Sequence, residues 1–309
     1  MPASPVVTEL SRVWRPGRQV DLGVALAPMR RGSGDPTFHG AADGSVWRGL
    51  RTPLGPATLR LRSRPTAGLV EAAAWGAGAA WALDGVPDLL GSGDDPAGFA
   101  PDHPVLRDVW RRHRDWRVPR SRLVLEALVP AVLEQKVTGR EAWRAWRALV
   151  RRYGDPAPGP VPALRVAPDA ATWRRIPSWE WHRAGVDLSR SRTVVTAAGS
   201  AGRLEQVVML GRDEADARLR SLPGVGVWTA AEVRQRALGD ADAVSVGDYH
   251  LSSLVGWALV GERVDDDAML ELLEPYRGHR YRAVRMVELS GLGPPRRAPG
   301  MAVRDFRSM

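Results

Sequence analysis

A break between two helical segments, LPGVG at 222–226, is the feature that most constrains how this chain can fold. Glycine costs about 1 kcal/mol inside a helix and proline about 3 kcal/mol, so one helix cannot continue through it. The segments 213–221 and 227 onward are helical in pattern, which predicts a helix–hairpin–helix. Amides uncovered by glycine at a helix start bind anions, so Gly224, Val225 and Gly226 are candidate phosphate-binding residues. The alternative is an ordinary turn packed in a core.

The charge balance is consistent with a polyanionic partner. The net charge is +9 and the pI is about 10.9, which suits nucleic acid. The alternative is genomic drift, because GC-rich genomes enrich chains in Arg, Ala, Gly and Pro. The chain has a single lysine, Lys136, so any lysine Schiff base would have to form there.

Composition also excludes several classes of protein. There is no cysteine, which rules out disulfides, thiolate zinc sites and a cysteine-ligated iron–sulfur cluster. No run of eighteen apolar residues occurs, so no membrane partner is expected. The first residues lack the apolar run of a signal peptide, and we expect a cytoplasmic, nucleoid-associated protein.

The N-terminal third favours a small α+β domain over residues 1–103. Strand-like patterns occupy 19–27, 45–51 and 57–63, separated by turn-forming residues. An alanine-rich stretch, 66–83, predicts one helix. These patterns indicate an antiparallel sheet with a helix packed across it.

From residue 104 to 290 the pattern predicts an all-α domain of two helical subdomains. Apolar residues from 124 to 133 follow the rhythm of a buried helix face, and 154–163 is a Pro- and Gly-rich linker. The remaining tail, 291–309, is expected to be flexible and basic. Further helices are predicted at 140–154, 169–175, 178–186, 190–200, 213–221, after 227, after 248, at 267–274 and at 279–289.

Asp248 is the second notable position of the sequence. It lies 22 residues after Gly226 and directly before a predicted helix. An isolated aspartate at such a position is normally an N-cap. Its spacing from the hairpin gives it a second interpretation.

The pair of segments LPGVGVWTA (222–230) and DAVSVGDYHL (242–251) resembles the signature of the helix–hairpin–helix (HhH-GPD) DNA glycosylase superfamily. LVLEALVPAVLEQKVT (123–138) is similar to the helix that carries a glutamine and a DNA-wedging residue in that superfamily. The resemblance covers roughly residues 17–290. It is greatest to the bacterial 3-methyladenine DNA glycosylase II family, which has an additional α+β domain, and it implies that Asp248 is catalytic.

Two sequence features distinguish this chain from some members of the superfamily and indicate which subgroup it resembles. Endonuclease III-like and adenine-mismatch members usually carry four cluster cysteines, and this chain has none. Bifunctional members carry a lysine two residues after the second hairpin glycine, where this chain has Trp228. The resemblance therefore implies a monofunctional glycosylase without AP-lyase activity. Trp228 would offer an aromatic face to a flipped base, and its alternative role is core packing.

The same resemblance suggests further site residues. Gln135 would contact the estranged strand or a base edge, or be a helix-surface amide. Lys136 occupies the position of the residue that fills the gap left by the flipped base, where an apolar residue is common in the family. Lys136 would stack its methylene groups in that gap, contact a phosphate, or leave the gap to a neighbouring residue. Thr229 is a further candidate DNA contact. Two glutamates, Glu232 and Glu288, occupy places where the family has aromatic residues that line the base pocket. They would attract a cationic base, supply a proton to a neutral base, or indicate that the substrate is a different lesion. The alternative is that both are surface glutamates.

Three weaker expectations complete the site. The backbone carbonyls of Arg220, Leu222 and Val225 would hold a structural Na⁺ or K⁺, with no other cofactor. His250, next to Asp248 and Tyr249, is a conceivable proton donor, although packing or a surface role fits it better. The aromatic-rich stretch IPSWEWHRAG, 176–185, would line the cleft between subdomains.

The sequence thus predicts a monomeric base-excision repair enzyme acting on double-stranded DNA that contains damaged bases. It would flip out alkylated purines of the 3-methyladenine type and hydrolyse their N-glycosidic bond. One alternative is the same fold acting on hypoxanthine or an oxidised purine. A second is a non-catalytic lesion- or DNA-binding protein. An RNA-binding module is disfavoured because no aromatic stacking motif on a strand is evident.

Overall fold

The computed structural model describes residues 8–295, with a sheet first and helices after it. The strands are β1 (Leu10–Trp14), β2 (Phe38–Gly40), β3 (Val46–Thr52), β4 (Gly55–Arg64), β5 (Leu69–Trp75), β6 (Asp155–Pro156) and β7 (Arg165–Val166). The helices are α1 (Leu22–Leu26), α2 (Ala79–Asp84), α3 (Val86–Leu89), α4 (Pro104–Arg112), α5 (Val124–Leu133), α6 (Gly139–Tyr153), α7 (Ala170–Arg175), α8 (Ser178–Arg183), α9 (Leu188–Gly199), α10 (Ala201–Glu205), α11 (Arg212–Arg220), α12 (Val227–Val233), α13 (Leu251–Val260), α14 (Asp266–Leu273) and α15 (Arg280–Ser290). Most of the predicted basic tail, 291–309, lies outside the described residues.

The N-terminal sheet is antiparallel and five-stranded, in the order β1-β5-β4-β3-β2. Its core includes Leu59 and Leu61 of β4 and the buried residues of α1 and α2. The strands predicted at 45–51 and 57–63 are confirmed as β3 and β4. The predicted fold class, an antiparallel sheet with helical packing, is therefore confirmed for this part of the chain.

The strand predicted at 19–27 is wrong, because this segment forms α1. Asp21 is the N-cap, and its side chain accepts a hydrogen bond of 3.0 Å from the Val24 amide. Leu22 and Leu26, one turn apart, are buried in the sheet core. A short apolar run fits either structure, and here the aspartate cap favours the helix.

The single helix predicted at 66–83 is also wrong. Most of its first half is β5, and only Ala79–Asp84 is α-helical. Ala72 and Ala74 pair with Leu61 and Leu59 of β4, while β1 pairs with the other edge of β5. Small side chains in this inner strand leave space for α2 to pack on the sheet, so tertiary packing outweighs the helix propensity of alanine.

The helices form two cores, which confirms the predicted pair of helical subdomains. The first core is built mainly from α5, α6, α9, α11 and α12, and the second from α4, α13, α14 and α15. The helices predicted between 124 and 289 are all present. The linker predicted at 154–163 is partly ordered, since Asp155 and Pro156 pair with Val166 and Arg165. No helix in the described residues is long and apolar enough to span a bilayer.

The sheet packs directly on α5. Arg48 of β3 forms an ion pair of 2.8 Å with Glu126 of α5, and both side chains are largely buried. Gly49 approaches β7 so closely that an added Cβ would lie 2.0 Å from the Arg165 carbonyl oxygen. Phe99 packs in the second helical core, so contacts cross the predicted boundary at 103, which stays a prediction.

Candidate active site

The predicted helix–hairpin–helix is formed by α11, a turn at 221–226 and α12. Gly224 has a φ of +85°, and a Cβ there would lie 2.0 Å from Thr193 Oγ1 of α9. Any other residue would meet both backbone strain and a steric clash. The turn requires glycine at this position because α9 packs directly against it.

The hairpin leaves backbone donors open at the start of α12. Gly224, Gly226 and Val227 are exposed, and in the described residues no backbone acceptor binds their amides. Val225 differs from the prediction, because its amide donates to the Leu222 carbonyl at 3.0 Å and its side chain is buried. Because the Val225 amide is hydrogen-bonded within the turn, the candidate anion site consists of the exposed amides around Gly226.

The predicted cation site stays a prediction. The Leu222 carbonyl already accepts the turn bond from Val225, which leaves one lone pair. The Arg220 side chain pairs with Asp216 at 3.3 Å. Three backbone carbonyls suit a monovalent cation chemically.

Gln135 braces the hairpin. It lies in the turn after α5, and its Nε2 donates to the Gly224 carbonyl at 2.9 Å and to Thr229 Oγ1 at 2.8 Å. Both amide hydrogens are therefore used inside the protein, and the DNA contact considered for Gln135 stays a prediction. The Thr229 side chain is buried, so a DNA contact by this residue would involve its backbone amide rather than its hydroxyl.

Lys136 is exposed and has a φ of +54°, in the left-handed region that non-glycine residues rarely adopt. The turn that contains Lys136 is held in place by a buried arginine from another helix. Arg190 of α9 donates to the Leu133 carbonyl at 2.8 Å and pairs with Asp187 at 2.6 Å. The turn carrying Lys136, the start of α9 and the hairpin therefore lie together on one face.

Asp248 performs the capping role considered for it, whereas its catalytic role stays a prediction. Its Oδ1 accepts from the amides of His250 at 2.8 Å and Leu251 at 3.1 Å, and so caps α13. Its Oδ2 accepts from Trp228 Nε1 at 3.0 Å. The carboxylate is thus oriented by three donors and remains only half-buried.

Trp228 is placed by its indole nitrogen. The side chain is half-buried and its N–H points to the candidate catalytic carboxylate. In the described residues its rings stack on no other aromatic side chain. Core packing against other aromatics therefore does not account for its position.

Glu232 is buried one turn after Trp228, on the same side of α12. Its Oε1 accepts from Ser245 Oγ at 2.6 Å, and its Oε2 pairs with Arg236 at 2.7 Å. Burial raises the pKa of Glu232, while the guanidinium of Arg236 opposes that shift. The surface role considered for Glu232 is therefore wrong.

Glu288 has a different environment. It is exposed on α15 and forms an ion pair with Arg285. Burial raises the pKa of Tyr281 on the same helix, and both glutamates lie within electrostatic range of its hydroxyl. Each of the two glutamates is thus paired with an arginine three or four residues away along the chain, which largely neutralises its charge.

The remaining candidates are divided between surface and core. Tyr249 is 82% exposed and its ring contacts His250, which is also exposed. In the stretch 176–185, Trp181 stacks on Trp173 at 5.7 Å inside the first helical core, whereas Trp179 is 65% exposed. The cleft-lining role predicted for this stretch is wrong for Trp181, because packing among the first-core helices buries it.

Sequence reasoning missed Arg190, Ser245 and Gln235. Ser245 and Gln235 are buried and hydrogen-bonded to each other at 2.9 Å. The one available signal was a small polar residue within the otherwise apolar segment preceding Asp248. Their partners depend on how the loop folds back on α12, which spacing alone does not specify.

Similarity to known proteins agrees with this geometry. No profile of a known protein family matches the chain. A probable bifunctional transcriptional activator/DNA repair enzyme AlkA from Mycobacterium tuberculosis is 34% identical over 151 residues, which is 48% of this chain and 30% of that protein. The match thus spans about a third of the curated relative's length.

Solved structures match over a longer part of the chain. The 3-methyladenine DNA glycosylase from Archaeoglobus fulgidus superposes with a TM-score of 0.73 at 16% identity, covering 91% of this chain and 98% of that one. The 8-oxoguanine glycosylase/lyase from Clostridium acetobutylicum, in complex with DNA, gives 0.69 at 11% identity and covers 91% and 96%. The chain therefore has the fold of the helix–hairpin–helix DNA glycosylase superfamily, and its sequence is similar to that of an AlkA-type protein.

Proposed function

We propose that this protein is a monofunctional DNA glycosylase of base excision repair that removes alkylated purines from double-stranded DNA. The observation that carries the proposal is the Asp248 carboxylate, held by Trp228 and two backbone amides next to the hairpin. We also propose that it acts as a monomer in the cytoplasm, at the nucleoid.

DNA would bind through its phosphates. The exposed amides of Gly224, Gly226 and Val227 would donate hydrogen bonds to a phosphate without any charged side chain, and this would position the protein without reading sequence. The +9 net charge adds non-specific attraction. Lys136 projects from the adjacent turn and would enter or contact the duplex where the base has left it.

The chemical step needs a negative charge beside the sugar. The flipped nucleotide loses its base when the C1′–N bond breaks and the electron pair leaves with the base. A water oxygen then bonds to C1′, and the proton that this water loses passes to solvent. The sugar becomes positively charged in the transition state. A carboxylate fixed by three donors is preorganised to stabilise that charge, which is the role assigned to Asp248.

Strand cleavage is not part of the proposed reaction. A lyase forms an imine between a lysine and C1′, and the place of that lysine is occupied by Trp228. The indole N–H donates to Asp248 and is not a nucleophile. The product would be an intact strand with an abasic site.

Alkylated purines are the favoured substrates because alkylation at N3 or N7 makes the base cationic and a good leaving group. An aromatic face at Trp228 suits a cationic base. An oxidised purine is the second candidate, because the fold also superposes on an 8-oxoguanine glycosylase/lyase. Hypoxanthine and non-catalytic lesion binding are the remaining alternatives.

The test is single-turnover base release from duplexes carrying methylated purines, hypoxanthine or 8-oxoguanine, followed by alkali to reveal abasic sites. We expect release from the methylated duplex and no strand cleavage before alkali. Asp248→Asn should reduce the rate by on the order of 10²- to 10³-fold, because it removes the negative charge and keeps the shape. Its affinity for the duplex should remain close to that of the wild type.

The matched control is Asp267→Asn, an exposed aspartate of α14. It should release base at the wild-type rate. Wild-type rates from Asp248→Asn would refute the catalytic assignment. Nicked DNA without alkali, or a borohydride-trapped adduct, would refute the monofunctional assignment.

A further inference from the structure

The loop that carries Asp248 is attached to α12 along its length. Trp228 bonds to Asp248 at one end of the loop, and Arg234 pairs with Asp240 at the other, with Nε–Oδ2 at 2.9 Å. Between these two contacts lies Ser245. Side chains of α12 and of the π-helical turn that follows it, Arg234–Leu238, thus hold the loop from one side. Other helices hold it as well, since the Gly247 amide donates to Asp266 of α14 at 2.9 Å and Asp242 pairs with Arg280 of α15 at 2.5 Å.

Ser245 is the central connection. Its hydroxyl donates to Glu232 Oε1 at 2.6 Å and accepts from Gln235 Nε2 at 2.9 Å. Its carbonyl accepts from the Asp248 amide at 3.2 Å. A continuous path of hydrogen bonds thus runs from the Glu232 carboxylate to the backbone of Asp248.

The three side chains of this connection are almost inaccessible to water. Ser245 and Gln235 are each 4% exposed and Glu232 is 8% exposed. Gln235 Nε2 also donates to the Ala243 carbonyl at 2.9 Å. Water cannot readily replace these bonds, so the position of the loop depends on them.

Both oxygens of Glu232 have donors, Ser245 on one and Arg236 on the other. Arg236 in turn donates to the Pro28 carbonyl at 2.8 Å, which anchors it to the N-terminal domain. This arrangement holds Glu232 in place as an acceptor. It does not point a free carboxyl group towards a leaving base.

We infer that Glu232 is a positioning residue, which through Ser245 fixes the loop that places the Asp248 carboxylate against Trp228. The inference rests on the proposed function for its catalytic meaning. The position of the loop itself can be measured separately from catalysis.

The direct readout is the indole N–H resonance of Trp228, assigned by its loss in Trp228→Phe. Ser245→Ala and Glu232→Gln should each shift this resonance towards its position in Asp248→Asn. Ser245→Thr keeps the hydroxyl, so the Trp228 resonance should stay at its wild-type position in this variant. An unmoved resonance in Ser245→Ala and Glu232→Gln would overturn the inference.

The catalytic readout is the single-turnover rate against pH. Ser245→Ala and Glu232→Gln should slow base release about ten-fold while duplex affinity changes less than about two-fold, because misplaced groups lose rate rather than binding. The pH profile should keep its shape. Loss of its acid-dependent limb in Glu232→Gln would make Glu232 a proton donor and overturn the positioning role.

Matched controls are Glu271→Gln and Ser11→Ala, which are exposed and take no part in the Glu232–Ser245 connection. Neither should move the resonance or the rate. The charged and titratable groups around Glu232 are Arg31, Glu134, Arg236 and Tyr281, and none is altered in these variants. If the wild type releases no base from any duplex, the proposed function fails, whereas the resonance shift still decides whether Glu232 positions the loop.

Discussion

Among single residues, Trp228 shows how one side chain can serve two purposes. Its indole provides an N–H to the Asp248 carboxylate at 3.0 Å, and its rings remain free of stacking on other aromatic side chains of the described chain. A lysine could form the same hydrogen bond, and would also attack C1′. Tryptophan provides this hydrogen bond without an amine, in keeping with the proposed monofunctional reaction.

Replacing Trp228 with phenylalanine separates these functions, because it removes the N–H and keeps an aromatic face. A hydrogen bond to a charged group contributes about 1.5–3 kcal/mol, so base release should slow by at least about ten-fold. Single-turnover kinetics measure this. Trp179→Phe, at an exposed position, is the control. Equal rates in both variants would show that the Trp228–Asp248 bond is unimportant for catalysis.

The residues predicted from sequence were those whose role depends on local spacing. The hairpin glycines lie in the predicted turn and Trp228 bonds to Asp248, while their roles in DNA binding and catalysis stay predictions. The partners of Glu232 could not be predicted, because Ser245 is thirteen positions away and meets it only after the loop folds back. The same limit applies to Gln135, whose partners are about ninety residues away.

At the scale of secondary-structure elements, α5 is capped by a distant segment of the chain. Its first amides, those of Val124 and Leu125, donate to the Glu205 carboxylate of α10 at 2.8 and 2.9 Å. No serine, threonine or aspartate at the helix start performs this function, since the N-cap position is Leu123. Sequence pattern therefore predicted the helix and missed its cap.

We expect Glu205→Ala to destabilise the protein by about 1 kcal/mol, the usual cost of losing a cap. Burial raises the pKa of Glu205 above its ordinary value of 4.5, while the two amides oppose that shift. The folded state therefore holds the proton more tightly than the unfolded state. Stability relative to Glu205→Gln should fall as pH rises from 4.5 through the raised pKa, and stay constant below that range.

Urea unfolding of the wild type, Glu205→Gln and Glu271→Gln between pH 4 and 8 measures this dependence. Glu271 is exposed and serves as the control. A wild type that gains stability relative to Glu205→Gln as pH rises would contradict the expected sign.

At the scale of the whole molecule, α5 links the sheet to the face that carries the hairpin. Glu126 pairs with Arg48 of the sheet near the start of the helix, and Gln135, after its end, holds the hairpin. The ten residues of α5 span about 15 Å. The sheet domain therefore contacts the same helix whose following turn supports the hairpin. The sheet domain itself contributes no residue to the hairpin.

Breaking the Arg48–Glu126 pair should therefore be costly. Arg48→Met leaves a buried carboxylate without its partner and should lower the free energy of unfolding by about 3 to 5 kcal/mol. Adding Glu126→Gln removes the charge and should recover part of that loss. Denaturant unfolding measures both variants.

The control for this pair is Arg12→Met, which breaks an exposed ion pair with Asp84 and should cost less than about 1 kcal/mol. Similar losses in Arg48→Met and Arg12→Met would show that the contact between sheet and helix is not stabilising.

Lys136, the single lysine, is exposed in the turn beside the hairpin. Every other basic side chain is an arginine or histidine, and the guanidinium group is neither acetylated by lysine-modifying enzymes nor neutralised near neutral pH. Acylation of side-chain amines can therefore remove positive charge at one position only. That position lies in the turn proposed to contact the duplex. Acylation would therefore leave the positive charge of the remaining surface unchanged.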